Sequence, residues 1–410
     1  MKRISRIVCI ATFATVLPAM AQAQEMKAEV LHWWTSGGEA AAVAEFAKAF
    51  NGAGGEWVDT AIAGGEQARA AGINRIVGGN PPTAMQFNTG AQFSEIVANG
   101  FLNPLEDIAE ADHWRDVLPK ALVDATTRDG KFYAVPVNIH GQNWLWYNIE
   151  ALKKAGVEPP KSFDDILAAA PKLKEAGIIP LAHGGQNWQT QILFDAIVIA
   201  KAGQDIFNKV YGDVDTETLK TPEFRSAVET FAAMRELTDE GSPGRDWSQT
   251  TSLVITGKAA MQIMGDWAKG DFIAANLTIG KDYGCNVMPG GYVMGGDVFV
   301  FPKVEDAEQK AAQTKLAELM MSPDVQLAFN KKKGSVPSRI DLDVSSMDQC
   351  AQKGMKALND PEQQVASISY IASPDLVGAT RDVIGQFWST PSMTTDEFIE
   401  KFASAMKSAT

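Results

Sequence analysis

The chain has 410 residues, with 37 Lys and Arg against 50 Asp and Glu and only 4 His. A net charge of −13 argues against a reader of nucleic acid and against an anionic membrane surface, since both need a basic partner. The 3 Cys are too few for a disulfide scaffold, and the length predicts two or three domains because single cores stop growing near ~250–300 residues.

The first segment reads as a targeting sequence. Lys2, Arg3 and Arg6 form a positive region, residues 7–20 are mostly apolar, and Ala21-Gln22-Ala23 is a small-x-small cleavage site. Residues 1–23 are therefore predicted to be a secretory signal peptide, too short for a membrane span. Its removal takes away three of the 37 basic residues and none of the 50 acidic ones, leaving a net charge of −16. It also removes Cys9, which lies inside the apolar stretch and not behind a cleavage site. Cys285 and Cys350 remain. In an oxidising compartment such a pair reads as one disulfide, and two buried thiols are the alternative.

The rest of the chain alternates strands and helices. A strand is predicted at 28–32, followed by the turn Trp33-Trp34-Thr35-Ser36-Gly37-Gly38-Glu39. Val43, Phe46, Ala47 and Phe50 then recur at helical spacing. Ser162 with Asp165 forms a variant capping box, and Gly177 marks the end of that helix. Thr221-Pro222, Ser322-Pro323 and Ser373-Pro374 each put Pro at the first helical position behind a capping hydroxyl. Short apolar strands are predicted at 133–137, 178–182, 259–264 and 298–301. The fold class is α/β with open sheets, in which ligands sit beyond the carboxyl ends of strands. Residues 135–140 and the Gly-rich 290–298 suit crossovers between lobes.

Motifs for catalysis are missing. There is no G-x-x-x-x-G-K-[ST], G-x-G-x-x-G or G-x-S-x-G sequence, and the four His lack zinc-hydrolase spacing. Asp213-Val214-Asp215 and Asp341-Leu342-Asp343 lack the Gly and Glu of a calcium loop. Aromatic and polar loop positions say more. Trp outnumbers Tyr, 10 to 6. Trp33 and Trp34 are adjacent, so on an extended segment they point to opposite sides. Glu39 lies near a helix start, where it also offsets the dipole. Asp266-Trp267 follows a strand, Asp297 ends a Gly-rich segment, and Lys333 precedes Gly334 at a helix end. Indole plates with carboxylates at loop ends suit a polyhydroxylated ligand: a sugar ring's C–H face stacks on indole and its hydroxyls need fixed partners.

At these residues the chain resembles the sugar-binding proteins of ABC import systems (extracellular solute-binding protein family 1), closest to their periplasmic glucose-binding branch. The segments that carry the resemblance are Leu31 through Glu39, Gly78-Gly79-Asn80-Pro81-Pro82, Val135-Pro136-Val137-Asn138-Ile139-His140 and Asn143-Trp144-Leu145-Trp146. Pro180 through Gln186, Gly257 through Trp267 and Lys333-Gly334-Ser335-Val336-Pro337 complete the set. The resemblance implies a two-lobed periplasmic-binding-protein fold with a hinge and an interlobe cleft. The first lobe is expected to span 24–138 plus 297–335, and the second 139–296 plus 336–410. By resemblance, Trp33, Trp34 and Trp267 wall the sugar, and Glu39, Asp297 and Lys333 hydrogen-bond to it. The family also pairs the cysteines matched by Cys285 and Cys350. Two positions depart: Asn88 stands where a Lys is expected, and Tyr370 near where a His is expected. Both changes remove a potential cation from the pocket, which counts against glucose itself and leaves a glucoside, another glucose-like monosaccharide or a small oligosaccharide open. The expectation is a monomeric, non-enzymatic periplasmic receptor without cofactor or metal, which delivers sugar to membrane permease subunits. A secreted glycosidase using cleft carboxylates is the alternative.

Overall fold

A computed structural model describes residues 26–409 of the chain. The expected signal peptide, 1–23, lies outside the described residues. Two α/β lobes form around separate sheets. The first sheet has five strands in the spatial order Gly55–Ala61, Met26–His32, Ala84–Asn88, Asp297–Val300 and Ala134–Pro136. Its first three strands are parallel, and Asp297–Val300 runs antiparallel to both neighbours. Helix Gly37–Gly52 covers one face through Ala42, Val43, Phe46 and Phe50, the helical spacing read from the sequence.

The second lobe has a four-stranded sheet in the order Tyr283–Val287, Trp144–Asn148, Ala259–Met264, Ile179–Leu181. All six residues of Ala259–Met264 are buried, as befits an inner strand. A three-stranded sheet, Gln364–Ala366, Tyr292–Gly295, His140–Gly141, lies beside it. Phe194, Phe224, Phe231, Phe387, Phe398 and Phe402 come from helices far apart in sequence and meet in one core. The C-terminal helices Pro374–Ser389 and Thr395–Ser408 thus complete this lobe.

Most local signals hold. Ser162, Thr221 and Ser373 each accept a backbone N–H three residues on. Asp165 accepts from Lys161 N at 2.9 Å, just ahead of the cap residue. Ser322 differs: its hydroxyl donates to Leu319 O at 2.8 Å, back into the preceding helix, and caps nothing ahead of it. Two helices meet at Ser322, and the Leu319 carbonyl accepts both its backbone N–H and its hydroxyl. The acidic pairs that faintly resembled calcium loops are used locally. Asp215 accepts from Glu217 N and Thr218 Oγ1, and Asp341 pairs with Arg339.

The chain passes between the sheets three times, and the passages lie side by side. Val137 N donates to Asp297 O at 3.0 Å, and Ile139 N to Val336 O at 2.9 Å. Gly296 sits at the tightest point. A Cβ there would lie 2.8 Å from Asn138 O and from Thr89 Oγ1. The lobes also touch directly across the cleft. Asp271, on helix Ala268–Ala274, accepts from Ser36 Oγ at 2.8 Å and from Gly38 N at 3.0 Å. A second-lobe carboxylate thereby caps the N-terminus of helix Gly37–Gly52, where the dipole favours negative charge. Arg381 pairs with Glu66 at 2.9 Å at another point of the seam.

Cys285 and Cys350 form a disulfide joining the strand Tyr283–Val287 to the helix Gln349–Leu358, across a sequence separation of 65. Closing a loop of that size is worth ~4 kcal/mol in the chain-entropy account. Reductant is therefore expected to lower the urea midpoint of the second lobe, checked by denaturation with and without it. Gly38 makes a sharper test of closure, because a Cβ there would sit 2.3 Å from the Gly270 carbonyl carbon. Gly38→Ala should leave far-UV circular dichroism unchanged but hold the lobes apart, with a larger radius of gyration in X-ray scattering than wild type under the same conditions.

Candidate functional site

The turn Trp33–Glu39 leaves the carboxyl end of strand Met26–His32, where α/β sheets bind ligands. Ser36 and Glu39 form a capping box: Glu39 N donates to Ser36 Oγ at 3.2 Å and Ser36 N to Glu39 Oε2 at 3.4 Å. This places the Glu39 carboxylate at the helix start, and its other oxygen takes a salt bridge from Lys333 Nζ at 2.8 Å. Both side chains are more than nine-tenths buried. Lys333 ends helix Pro323–Lys333, and Gly334, with φ 92°, turns the chain out of it. Lys333 is thus turned inward, into a buried pair with Glu39. The two tryptophans separate as their adjacency predicts. Trp34 is buried against Phe299 and Phe329, and Lys333 Nζ lies 5.4 Å from its ring. Its indole Nε1 is buried without a hydrogen-bond partner. Trp33 is only partly buried and carries the Arg69 guanidinium 5.7 Å from its ring.

Asp297 opens the strand Asp297–Val300 and is 3% exposed. Its Oδ1 accepts from Gln86 Nε2 at 3.1 Å and from Asn88 Nδ2 at 3.3 Å. Its Oδ2 accepts from Asn138 Nδ2 at 3.0 Å and from His140 Nε2 at 2.9 Å. Burial alone would raise its pKa. The hydrogen bond and charge of His140, then Lys333 and Asn138, outweigh burial and hold the pKa below the usual value. Of the two departures from the family pattern, Asn88 donates to this carboxylate, and burial, with the Asp297 charge added, pushes the Tyr370 phenol pKa up.

His140 is held on both ring nitrogens: Nδ1 contacts Asp266 Oδ1 and Nε2 contacts Asp297 Oδ2. Asp266 also accepts from Gly141 N at 2.9 Å. Burial opposes a charged imidazole, but the two carboxylates prevail and the His140 pKa is raised. The Trp267 ring stands 5.0 Å from His140 at 82° and 6.1 Å from Trp188. A Cβ on Gly265 would fall 2.1 Å from the Trp267 ring, so only glycine lets that indole fold back.

Of the expected residues, Asn88 is hydrogen-bonded to Asp297, and the charge of Lys333 helps hold the Asp297 pKa down. Trp33 reaches Asp297 through Gln86, which accepts from Trp33 N at 3.1 Å. Trp267 reaches it through His140, and Glu39 and Trp34 through Lys333. Sequence reasoning missed Gln86, Asn138, His140 and Asp271. His140 and Asn138 stood in a recognised segment, but their acidic partners lie 126 to 159 residues away. Asp266 precedes the expected Trp267 and is the more buried of the two. Among the described residues no group of three or more His, Cys, Asp or Glu could hold a metal ion. Indole faces and fixed carboxylates are binding chemistry for hydroxyls on an apolar ring.

Known proteins are similar to this chain in sequence and in fold. A "Probable sugar-binding periplasmic protein" of Mesorhizobium japonicum is 37% identical over 407 residues, covering 97% of each chain. A protein of the same description from Rhizobium meliloti is 38% identical over 353 residues, covering 85% of this chain and 84% of its own. Among solved structures, a chitin oligosaccharide binding protein superposes with a TM-score of 0.78 at 19% identity, covering 93% of this chain and 98% of its own. The maltose-bound MalE3 of T. maritima gives 0.76 at 19%, covering 93% and 99%. These two likenesses show the shared two-lobed fold. The family described as bacterial extracellular solute-binding protein matches residues 34–327. With that match and full-length relatives above 35% identity, the chain belongs to the bacterial extracellular solute-binding protein family.

Proposed function

We propose that this chain is a periplasmic receptor that captures a sugar between its lobes and delivers it to the membrane permease of an ABC importer, without catalysing a reaction on it. The observation that carries the reading is the convergence of three indoles, a buried Glu39–Lys333 pair and Asp297 on one seam between two sheets. In this reading Trp33, Trp34 and Trp267 wall the sugar, and Glu39, Asn88, Asp297, Lys333 and Tyr370 meet its hydroxyls. All four contacts on Asp297 are taken within the protein, and the 3.3 Å bond from Asn88 is the longest. A ligand hydroxyl displaces that one at least cost. The names of the relatives support a sugar as ligand and the periplasm as compartment. The lobes are assigned as 24–138 with 297–335 and 139–296 with 336–410, a division supported by the strand membership of the sheets. The receptor acts as a monomer that closes by hinge motion at 135–140 and 290–298.

A thermal-shift panel of monosaccharides and small oligosaccharides tests the ligand class; a sugar at 100 times its Kd stabilises by ~2.7 kcal/mol. The same sugar should reduce the radius of gyration of any open form, and incubation with oligosaccharides should give no turnover. Calorimetry with the best ligand then tests the site. Trp267→Ala is expected to cost roughly 2–4 kcal/mol of binding, as for buried aromatic anchors, and Asp297→Ala about 2–3 kcal/mol. Wild-type affinity in both variants would place the pocket elsewhere. Asn88→Lys is expected to alter which sugars bind, because Lys offers donors only whereas Asn offers a donor and an acceptor. For localisation, mass spectrometry of the exported protein should find a chain beginning at Gln24, and an intact N-terminus on periplasmic material would refute cleavage.

A further inference from the structure

His140 lies where the chain first crosses between the sheets, and it touches groups from both. Asp266 follows the strand Ala259–Met264 of the four-stranded sheet. Asp297 opens a strand of the five-stranded sheet. His140 itself begins a strand of the third. A neutral imidazole carries one N–H and one lone pair. Here each ring nitrogen faces a carboxylate oxygen, so a neutral ring would aim its lone pair at an anion. The third neighbour settles the geometry. Asn138 Oδ1 accepts from Asp297 N at 2.7 Å, which fixes the amide orientation and turns Nδ2 toward Asp297 Oδ2. The 3.1 Å approach of Asn138 Nδ2 to His140 Nε2 is then two donors sharing one acceptor, not a bond between them.

We infer that His140 is a positioning residue of the sugar site: an imidazolium clamped between Asp266 and Asp297 that holds the Asp297 acceptor and the Trp267 plate in register. The inference rests on the sugar-receptor reading for its ligand, but not for its protonation state. His140 fixes one Asp297 oxygen directly and stands nearly perpendicular to the Trp267 ring, at the distance of a cation–π contact. The charged and titratable groups around it are few. Asp266 and Asp297 face its nitrogens, the charge of Lys333 acts on Asp297, the Tyr370 phenol feels the Asp297 charge, and Tyr292 lies against Asp266. Asn138 and Trp267 complete the shell without charge. The sign of the pH effect follows. The His140 pKa is raised above its usual 6.5, so the clamp is intact below that value and is lost as pH rises through the folded-state value. The Asp297 pKa is lowered below 3.8, so its side of the clamp fails only in acid below that value.

Nitrogen-detected NMR of ligand-free protein labelled in its histidines reads the proton count. At about pH 7.5, a unit above the free imidazole value, both His140 nitrogens should give imidazolium shifts. A ring nitrogen with a lone pair would overturn the inference. Calorimetry over pH with the tightest binder among D-glucose, D-galactose, D-xylose and maltose reads the consequence. Wild-type affinity should be flat through neutrality and fall on the alkaline side. Asp266→Asn, which removes one anion from the ring, should move that fall to lower pH. His140→Gln should weaken binding roughly 10–100-fold and abolish the alkaline fall, with unchanged far-UV circular dichroism. A His140→Gln protein that keeps both the affinity and the pH profile would sink the role, and if that variant misfolds, Asp266→Asn and the NMR spectrum decide. Failure of all four sugars to bind wild type overturns the receptor reading and the part of His140 in it. Binding alongside a neutral ring overturns the His140 role alone.

Discussion

A carboxylate removed from water must be fully paired, and Asp297 sets that demand where the chain crosses between its sheets. The cost of burying such an ion is several kcal/mol unless hydrogen bonds and opposite charge repay it. Gln86 and Asn88 supply two donors from the neighbouring strand, and Asn138 and His140 supply two more from the crossing segment. The pairing requires the strand Ala84–Asn88, the passage at 137–140 and the start of Asp297–Val300 to meet within hydrogen-bond reach. Gly296 is the backbone expression of the same constraint, since a side chain there would collide with Asn138 O. Removing any single partner leaves charge unpaired in a low-dielectric place, so this cluster behaves as a unit.

The contacts that join the lobes differ in kind from those inside them. Each lobe is held by packed aromatic and aliphatic side chains, such as Phe46 stacked on Phe329 in the first and the six-phenylalanine core in the second. Across the seam the named bonds are polar: Asp271 to the start of helix Gly37–Gly52, and Arg381 to Glu66. Water can replace such bonds at small net cost, because each contributes only about 1–2 kcal/mol beyond its hydrated state. The interior of each lobe has no such substitute. Opening therefore leaves both cores intact, and a ligand contacting both faces shifts the balance by its differential affinity for the closed state.

Much of this was legible in the sequence. The strand before Trp33, the helix through Phe46 and Phe50, and the caps at Ser162, Thr221 and Ser373 all rest on local periodicity and hydroxyl placement, which act over a few residues. The cysteine pairing was legible from the two cysteines left once the leader is set aside, and from resemblance to known segments. What was not legible is pairing at long range. Nothing near His140 in the chain announces Asp266 or Asp297, and nothing near Gly38 announces Asp271. Those contacts exist only once two sheets are in place. Ser322 shows the reverse failure: its local signal was sound, but the carbonyl of Leu319 competed for the same hydroxyl.

The position of Asp297–Val300 in the five-stranded sheet has a kinetic consequence. It lies between Ala84–Asn88 and Ala134–Pro136, so it is the strand that joins the N-terminal parallel strands to the crossing segment. Yet it follows Pro136 by the whole sequence of the four-stranded sheet. A chain emerging in order cannot complete its first sheet until that intervening excursion has been made and its loop-closure entropy met. The N-terminal strands spend that interval with the edge of Ala84–Asn88 unpaired, so the nascent chain presents an accessible strand edge until Asp297–Val300 has been made.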